Sequence, residues 1–148
     1  MIKKMYIAYG SNLNTLQMAY RCPDARPLGV SFLKDYKLTF RGNRRGWGVA
    51  NVEKCKGSSV PVGVWSISFS DEYNLDVYEG YPHLYEKEYK EVVLDGTKIS
   101  CLVYVMTEGH DISEPPSSYL NTIREGYRDF GIDPKYLDNA VRQCRENI

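Results

Sequence analysis

The sequence predicts an α+β fold on a mainly antiparallel sheet of six or seven strands, from three observations. Runs of β-branched and aromatic residues recur along the chain, and most are joined by connections too short for a parallel crossover. Helical periodicity is confined to four separate segments. No repeat, linker or low-complexity stretch divides the 148 residues, so one domain spanning 1–148 is expected, long enough to bury its own core.

The first strand is read from Met5 to Tyr9, where Tyr6, Ile7 and Tyr9 favour extended backbone and Gly10 ends it. Asn12 or Asn14 then caps a helix whose Leu13, Leu16 and Tyr20 are spaced to share a face, and the prolines of CPDARP stop it. LGVSFL and YKLTF read as two strands joined at Lys34 and Asp35, and GVANVEK and VPVGVWSIS as two more separated by the turn signal CKGSS. In SDEYNLDVYEG the period changes. Ser70 is the expected N-cap, Asp71 and Glu72 suit the positive end of the helix dipole, and Gly80 is the expected C-cap. YEKEYKEVVL and KISCLVYVMT flank Asp95-Gly96, the strongest hairpin signal in the chain. Leu120, Ile123, Tyr127 and Phe130 mark an amphipathic helix stopped by Gly131. Asp133-Pro134 opens a last one with Leu137, Ala140, Val141 and Cys144 facing inward.

Composition narrows the function. Nineteen basic and nineteen acidic residues leave no net field to steer a polyanion, so nucleic acid is not an expected partner. No apolar run approaches the ~20 residues that span a bilayer, and MIKKMYIAYG lacks the long apolar region of a signal peptide. The four cysteines form no CxxC pair, and His83 and His110 stand without metal-ligand spacing. Neither a zinc site nor a redox dithiol is expected, and unpaired thiols point to a reducing cytoplasm. RGNRRGWG, with Arg41, Arg44, Arg45 and Trp47, reads as a solvated hairpin.

Two places can carry chemistry. A strand ending in Gly10-Ser11-Asn12 directly before a helix leaves several backbone N–H groups without partners. Such a junction binds an anion, although the same residues also make an ordinary capped turn. Glu79 lies in the last turn before Gly80, where the negative end of the helix dipole disfavours its ionised form. Burial among Tyr78, Tyr81 and Tyr85 would raise its pKa further, toward that of a proton shuttle, whereas exposure would leave it an ordinary surface glutamate.

Taken together, YIAYGSNL, FLKDYKLTF, GVWSIS, LDVYEG, GTKISCLVYVMT and PPSSYL, in this order, resemble the γ-glutamylcyclotransferase family, including its plant-type and γ-glutamylamine-directed relatives. The resemblance implies a small mixed, mainly antiparallel β-barrel with flanking helices and a cavity at one end. It places the glutamyl-binding segment on Tyr6, Ile7, Ala8, Tyr9, Gly10, Ser11 and Asn12, and the acid/base glutamate on Glu79. It also puts a substrate-contacting tyrosine at Tyr119 and a further pocket residue at Tyr85. No cofactor is implied, since the substrate's own amine attacks its γ-carbonyl to release 5-oxoproline. The expected partner is a small γ-glutamyl molecule, with no membrane, and an exposed tyrosine cluster would be compatible with a homodimer. The alternative is a non-catalytic module that binds a small acidic metabolite.

Overall fold

Five strands form one mixed sheet in the order β2-β3-β1-β5-β4. The computed structural model describes residues 3–148. The strands are β1 (Lys4–Ala8), β2 (Arg26–Gly42), β3 (Gly48–Ile67), β4 (Tyr85–Leu94) and β5 (Thr97–Met106). Four helices accompany them: α1 (Thr15–Arg21), α2 (Phe69–Glu79), α3 (Ser117–Phe130) and α4 (Lys135–Glu146). All neighbouring strands are antiparallel except β1 and β5, which pair in parallel through Tyr6 and Leu102.

The strand count is five because two expected turns are irregularities inside long strands. Register shifts between Lys34 and Tyr36, where Asp35 has φ 66° and its carboxylate accepts from the Gly57 amide at 3.0 Å. Residues that permit positive φ serve a bulge as readily as a turn, and a bulge lets the paired strands bend without separating. The bend curls the sheet until its two edges meet: Ser31 of β2 donates to the Val93 carbonyl of β4 at 2.5 Å. Among the described residues no backbone ladder joins those edges, so the expected barrel is a curled sheet rather than a closed one.

The helix ends follow local chemistry. Ser68, two residues earlier than expected, caps α2 by accepting from the Asp71 amide, and the Ser68 amide in turn donates to the Asp71 carboxylate. Gly80 closes α2 at φ 67°, and Asp95 and Gly96, at φ 51° and 80°, make the tight turn between β4 and β5. The expected face of α1 is corrected. Leu13 is buried in a 3-10 turn (Ser11–Leu13) ahead of the helix, Leu16 and Tyr20 are exposed, and Met18 is the helix's buried residue. A seven-residue helix has room for one inward position, and the turn, not the helix, carries Leu13 into the core. In α3 and α4 the inward residues Leu120, Ile123, Tyr127, Leu137, Ala140, Val141 and Cys144 are buried as their spacing requires.

Candidate active site

Three segments converge at one end of the sheet. The Gly10–Leu13 turn leaves β1, the last turn of α2 brings Glu79, and the first turn of α3 brings Tyr119. They enclose an inner pocket of about 30 Å³ walled by Tyr6, Tyr9, Tyr85, Tyr104 and Tyr119, with Gly10, Ser11, Asn12, Ala50 and Glu79. Ser11, Glu79, Tyr85 and Tyr119 also line an outer cavity of about 680 Å³, whose wall includes Trp47, Val49, Leu84 and Tyr78.

The turn is held from several sides. Gly126 lets α3 approach it so closely that a Cβ there would lie 2.6 Å from the Leu13 and Asn14 backbone. Asn14 donates to the Thr122 carbonyl and to Glu125, both at 3.0 Å, and Trp65 donates to the Asn12 carbonyl at 3.1 Å. The Leu13 and Asn14 amides donate back into the turn, whereas those of Ser11 and Asn12, the first of the 3-10 turn, have no acceptor among the described residues. Gly10 provides the clearance: a Cβ there would stand 3.0 Å from the Ala50 methyl and 3.5 Å from the Tyr119 hydroxyl.

The tyrosine hydroxyls divide into two kinds. Tyr9 donates to the Tyr104 carbonyl at 2.6 Å and Tyr85 to the Ala50 carbonyl at 2.5 Å, so their protons are committed. Tyr6 accepts from the Asn12 amide group and Tyr119 from the Ala50 backbone N–H, both at 2.9 Å, which leaves each with its own proton to offer. Burial raises all four above the ordinary tyrosine value, so they remain neutral donors.

The Glu79 carboxyl has no hydrogen-bond partner among the described residues, and it belongs to both cavities. Loss of water around it pushes its pKa up to about 7, against an opposing pull from the Arg21 guanidinium. Arg21 was not singled out by the sequence, because a lone arginine at a helix end carries no signature. Tyr78 and Tyr85 flank Glu79 in the cavity as expected, while Tyr81 is 41% exposed and stacks under Lys87 instead. Ile7 and Ala8 line neither cavity. Both are fully buried in β1, where strand alternation turns Ile7 away from the face that carries Tyr6.

The arginine hairpin divides as well. Arg41 pairs with Glu53 at 2.6 Å, and Trp47, half-exposed, turns out to wall the outer cavity. Gly48 puts it there: a Cβ at this position would strike the Ser113 carbonyl, so only glycine lets β3 run against the loop that leads into α3. A separate cavity of about 430 Å³ beside Arg41, Glu53 and His110 contains none of the expected site residues. Among the described residues no group of His, Cys, Asp and Glu could hold a metal ion, and no helix is long and apolar enough to cross a membrane.

Comparison with known proteins follows the same segments. The family described as Gamma-glutamyl cyclotransferase, AIG2-like, matches residues 6–126. Gamma-glutamylcyclotransferase of Homo sapiens is 33% identical over 143 residues, covering 90% of this chain and 75% of that protein. Gamma-glutamylcyclotransferase of Bos taurus is 34% identical over 142 residues, covering 89% and 74%. A solved structure of a Gamma-glutamyl cyclotransferase superposes with a TM-score of 0.85 at 28% identity, covering 94% of this chain and 86% of that one. The match thus runs from the first pocket strand through α3 and extends to the whole curled sheet, and the chain belongs to the AIG2-like gamma-glutamyl cyclotransferase family.

Proposed function

We propose that this cyclotransferase releases 5-oxoproline and an amine or amino acid from a small γ-glutamyl compound, with Glu79 as both base and acid. The α-carboxylate of the glutamyl group lies on the free backbone N–H groups around Gly10 and Ser11, and its γ-carbonyl points toward the Tyr119 hydroxyl. A free α-amine has a pKa of roughly 8 and is mostly protonated at neutral pH, so it must lose a proton before it can attack. That first proton goes to solvent, and as the neutral amine nitrogen bonds to the γ-carbon Glu79 takes a second, leaving the nitrogen with the single hydrogen of the lactam. Electrons of the carbonyl move onto oxygen, where the Tyr119 hydroxyl and the turn amides donate to the oxyanion. Collapse breaks the amide bond, and the proton held by Glu79 passes to the leaving nitrogen. One carboxylate completes the cycle unchanged, and the ring closes within a single bound molecule, which removes the entropy cost of bringing two reactants together.

The observation that carries this reading is a part-buried carboxyl, free of protein hydrogen bonds among the described residues, that lines the same pocket as the unpaired turn amides, where loss of water pushes its pKa up to about 7. A group poised near the working pH can both accept and return a proton. The test is 5-oxoproline release from a panel of γ-glutamyl amino acids and γ-glutamyl amines by wild type and Glu79→Gln. Release by wild type with a loss of about 10²–10⁴-fold in kcat for the variant is expected. Equal kcat in two folded proteins would refute the assignment.

The rest of the setting is part of the same proposal. The chain acts as one catalytic domain. Its cysteines are free, with Cys22 and Cys101 pushed by burial to about 12 and about 11, a state that suits a reducing cytoplasm. A homodimer would use exposed aromatic surface such as Phe69 and Tyr73 on α2, and light scattering decides it.

A further inference from the structure

We propose that Arg21 is a positioning residue for this reaction, clamping the Gly10–Leu13 turn to the end of α2 and supplying the one cation that bears on the Glu79 carboxylate among the described residues. The inference rests on the reading of Glu79 as acid and base. Arg21 is the last residue of α1. Its guanidinium donates to the Asn12 side-chain oxygen and, at 2.9 Å, to that of Gln17, while its flat face lies 3.4 Å from the centroid of the Tyr78 ring. Its carbonyl accepts from Asn74 of α2 at 3.0 Å. Each neighbour leads into the pocket: Asn12 donates to Tyr6, and Tyr78 shares a 2.9 Å hydrogen bond with Ser11. Only a planar cation with several donors can stack on a ring and bond two amides at its edge.

The groups that face Glu79 from the surrounding elements are Tyr6 of β1, Tyr9 just past its end, Tyr85 of β4, Tyr104 of β5, Tyr119 of α3 and the adjacent Tyr78. None is a cation, so burial would keep the carboxyl protonated if Arg21 did not favour its ionised form. The arginine thereby leaves a usable fraction of base at neutral pH while remaining outside the inner pocket, away from the substrate.

Two measurements test this. The carbon resonance of the Glu79 carboxyl, followed by NMR against pH without substrate, should titrate about one pH unit higher in Arg21→Met than in wild type. Arg21→Lys should stay near wild type in that titration while losing the stack. In turnover of γ-glutamyl-L-alanine, the deficit of Arg21→Met in kcat/KM should fall from about tenfold near pH 6 to almost none near pH 9. An unmoved Glu79 midpoint in folded Arg21→Met, or a deficit of constant size from pH 6 to 9, overturns the proposal. Full turnover by Glu79→Gln removes instead the acid–base reading on which the proposal depends, and the NMR result distinguishes the two failures.

Discussion

Glu79, the proposed acid and base, also carries a cost to the fold. Its pKa is about 7 in the folded protein against 4.5 unperturbed, so between those values the folded state binds the extra proton. Stability therefore falls as pH rises through that window: the penalty is absent below about 4.5 and complete above about 7. Glu79→Gln, which keeps the shape and cannot ionise, should raise the melting temperature at pH 8 and leave it nearly unchanged at pH 4. Equal melting temperatures at pH 8 would mean the carboxyl is not desolvated. Gly10 is the opposite kind of residue, useful for what it lacks. Gly10→Val would drive methyl groups into the space between Ala50 and Tyr119, so KM for the γ-glutamyl substrate should rise sharply. Unchanged substrate affinity in that variant would show that the glutamyl group does not approach this backbone.

At the level of elements, the site depends on the seam between the 3-10 turn and α3. Thr15 donates to Asp129 at 2.9 Å through its amide and 3.0 Å through its hydroxyl, and Asn14 holds α3 at Thr122 and Glu125. Gly126 sits where those bonds draw the two backbones together. Gly126→Ala should destabilise the protein by about 1–3 kcal/mol, because a methyl 2.6 Å from backbone forces the helix away. It should also lower turnover, since the same helix carries Tyr119. Chemical denaturation alongside a kcat measurement checks both, and a loss of stability with full activity would show that Tyr119 and the turn need not keep their spacing.

For the molecule as a whole, curling of the sheet places β1, the end of α2 and the start of α3 around one cavity, although they lie far apart in the chain. Binding at such a place should stabilise the entire fold. 5-Oxoproline at a hundred times its Kd should add about 2.7 kcal/mol to the unfolding free energy of wild type. Gly10→Val should lose most of that gain, and an equal gain in both proteins would place the ligand elsewhere.

The local chemistry was legible in the residues themselves. Asp95-Gly96 specified its turn, Gly80 and Gly131 their helix ends, and the periods of α3 and α4 their buried faces, because each depends on neighbours within a few positions. Glu79 and the Gly10–Asn12 junction could be singled out for the same reason, from a helix terminus and a strand end. What only the tertiary structure decided was everything set by distant partners. Asp35 and Gly57 became a bulge because their strands stay paired on both sides, and Leu16 faces solvent because α1 is too short to bury two positions. Trp47 left the solvated hairpin for the cavity wall because Gly48 meets the Ser113 loop. Arg21 and Tyr104 joined the site through contacts with Tyr78 and the inner pocket, which no local pattern around either residue encodes.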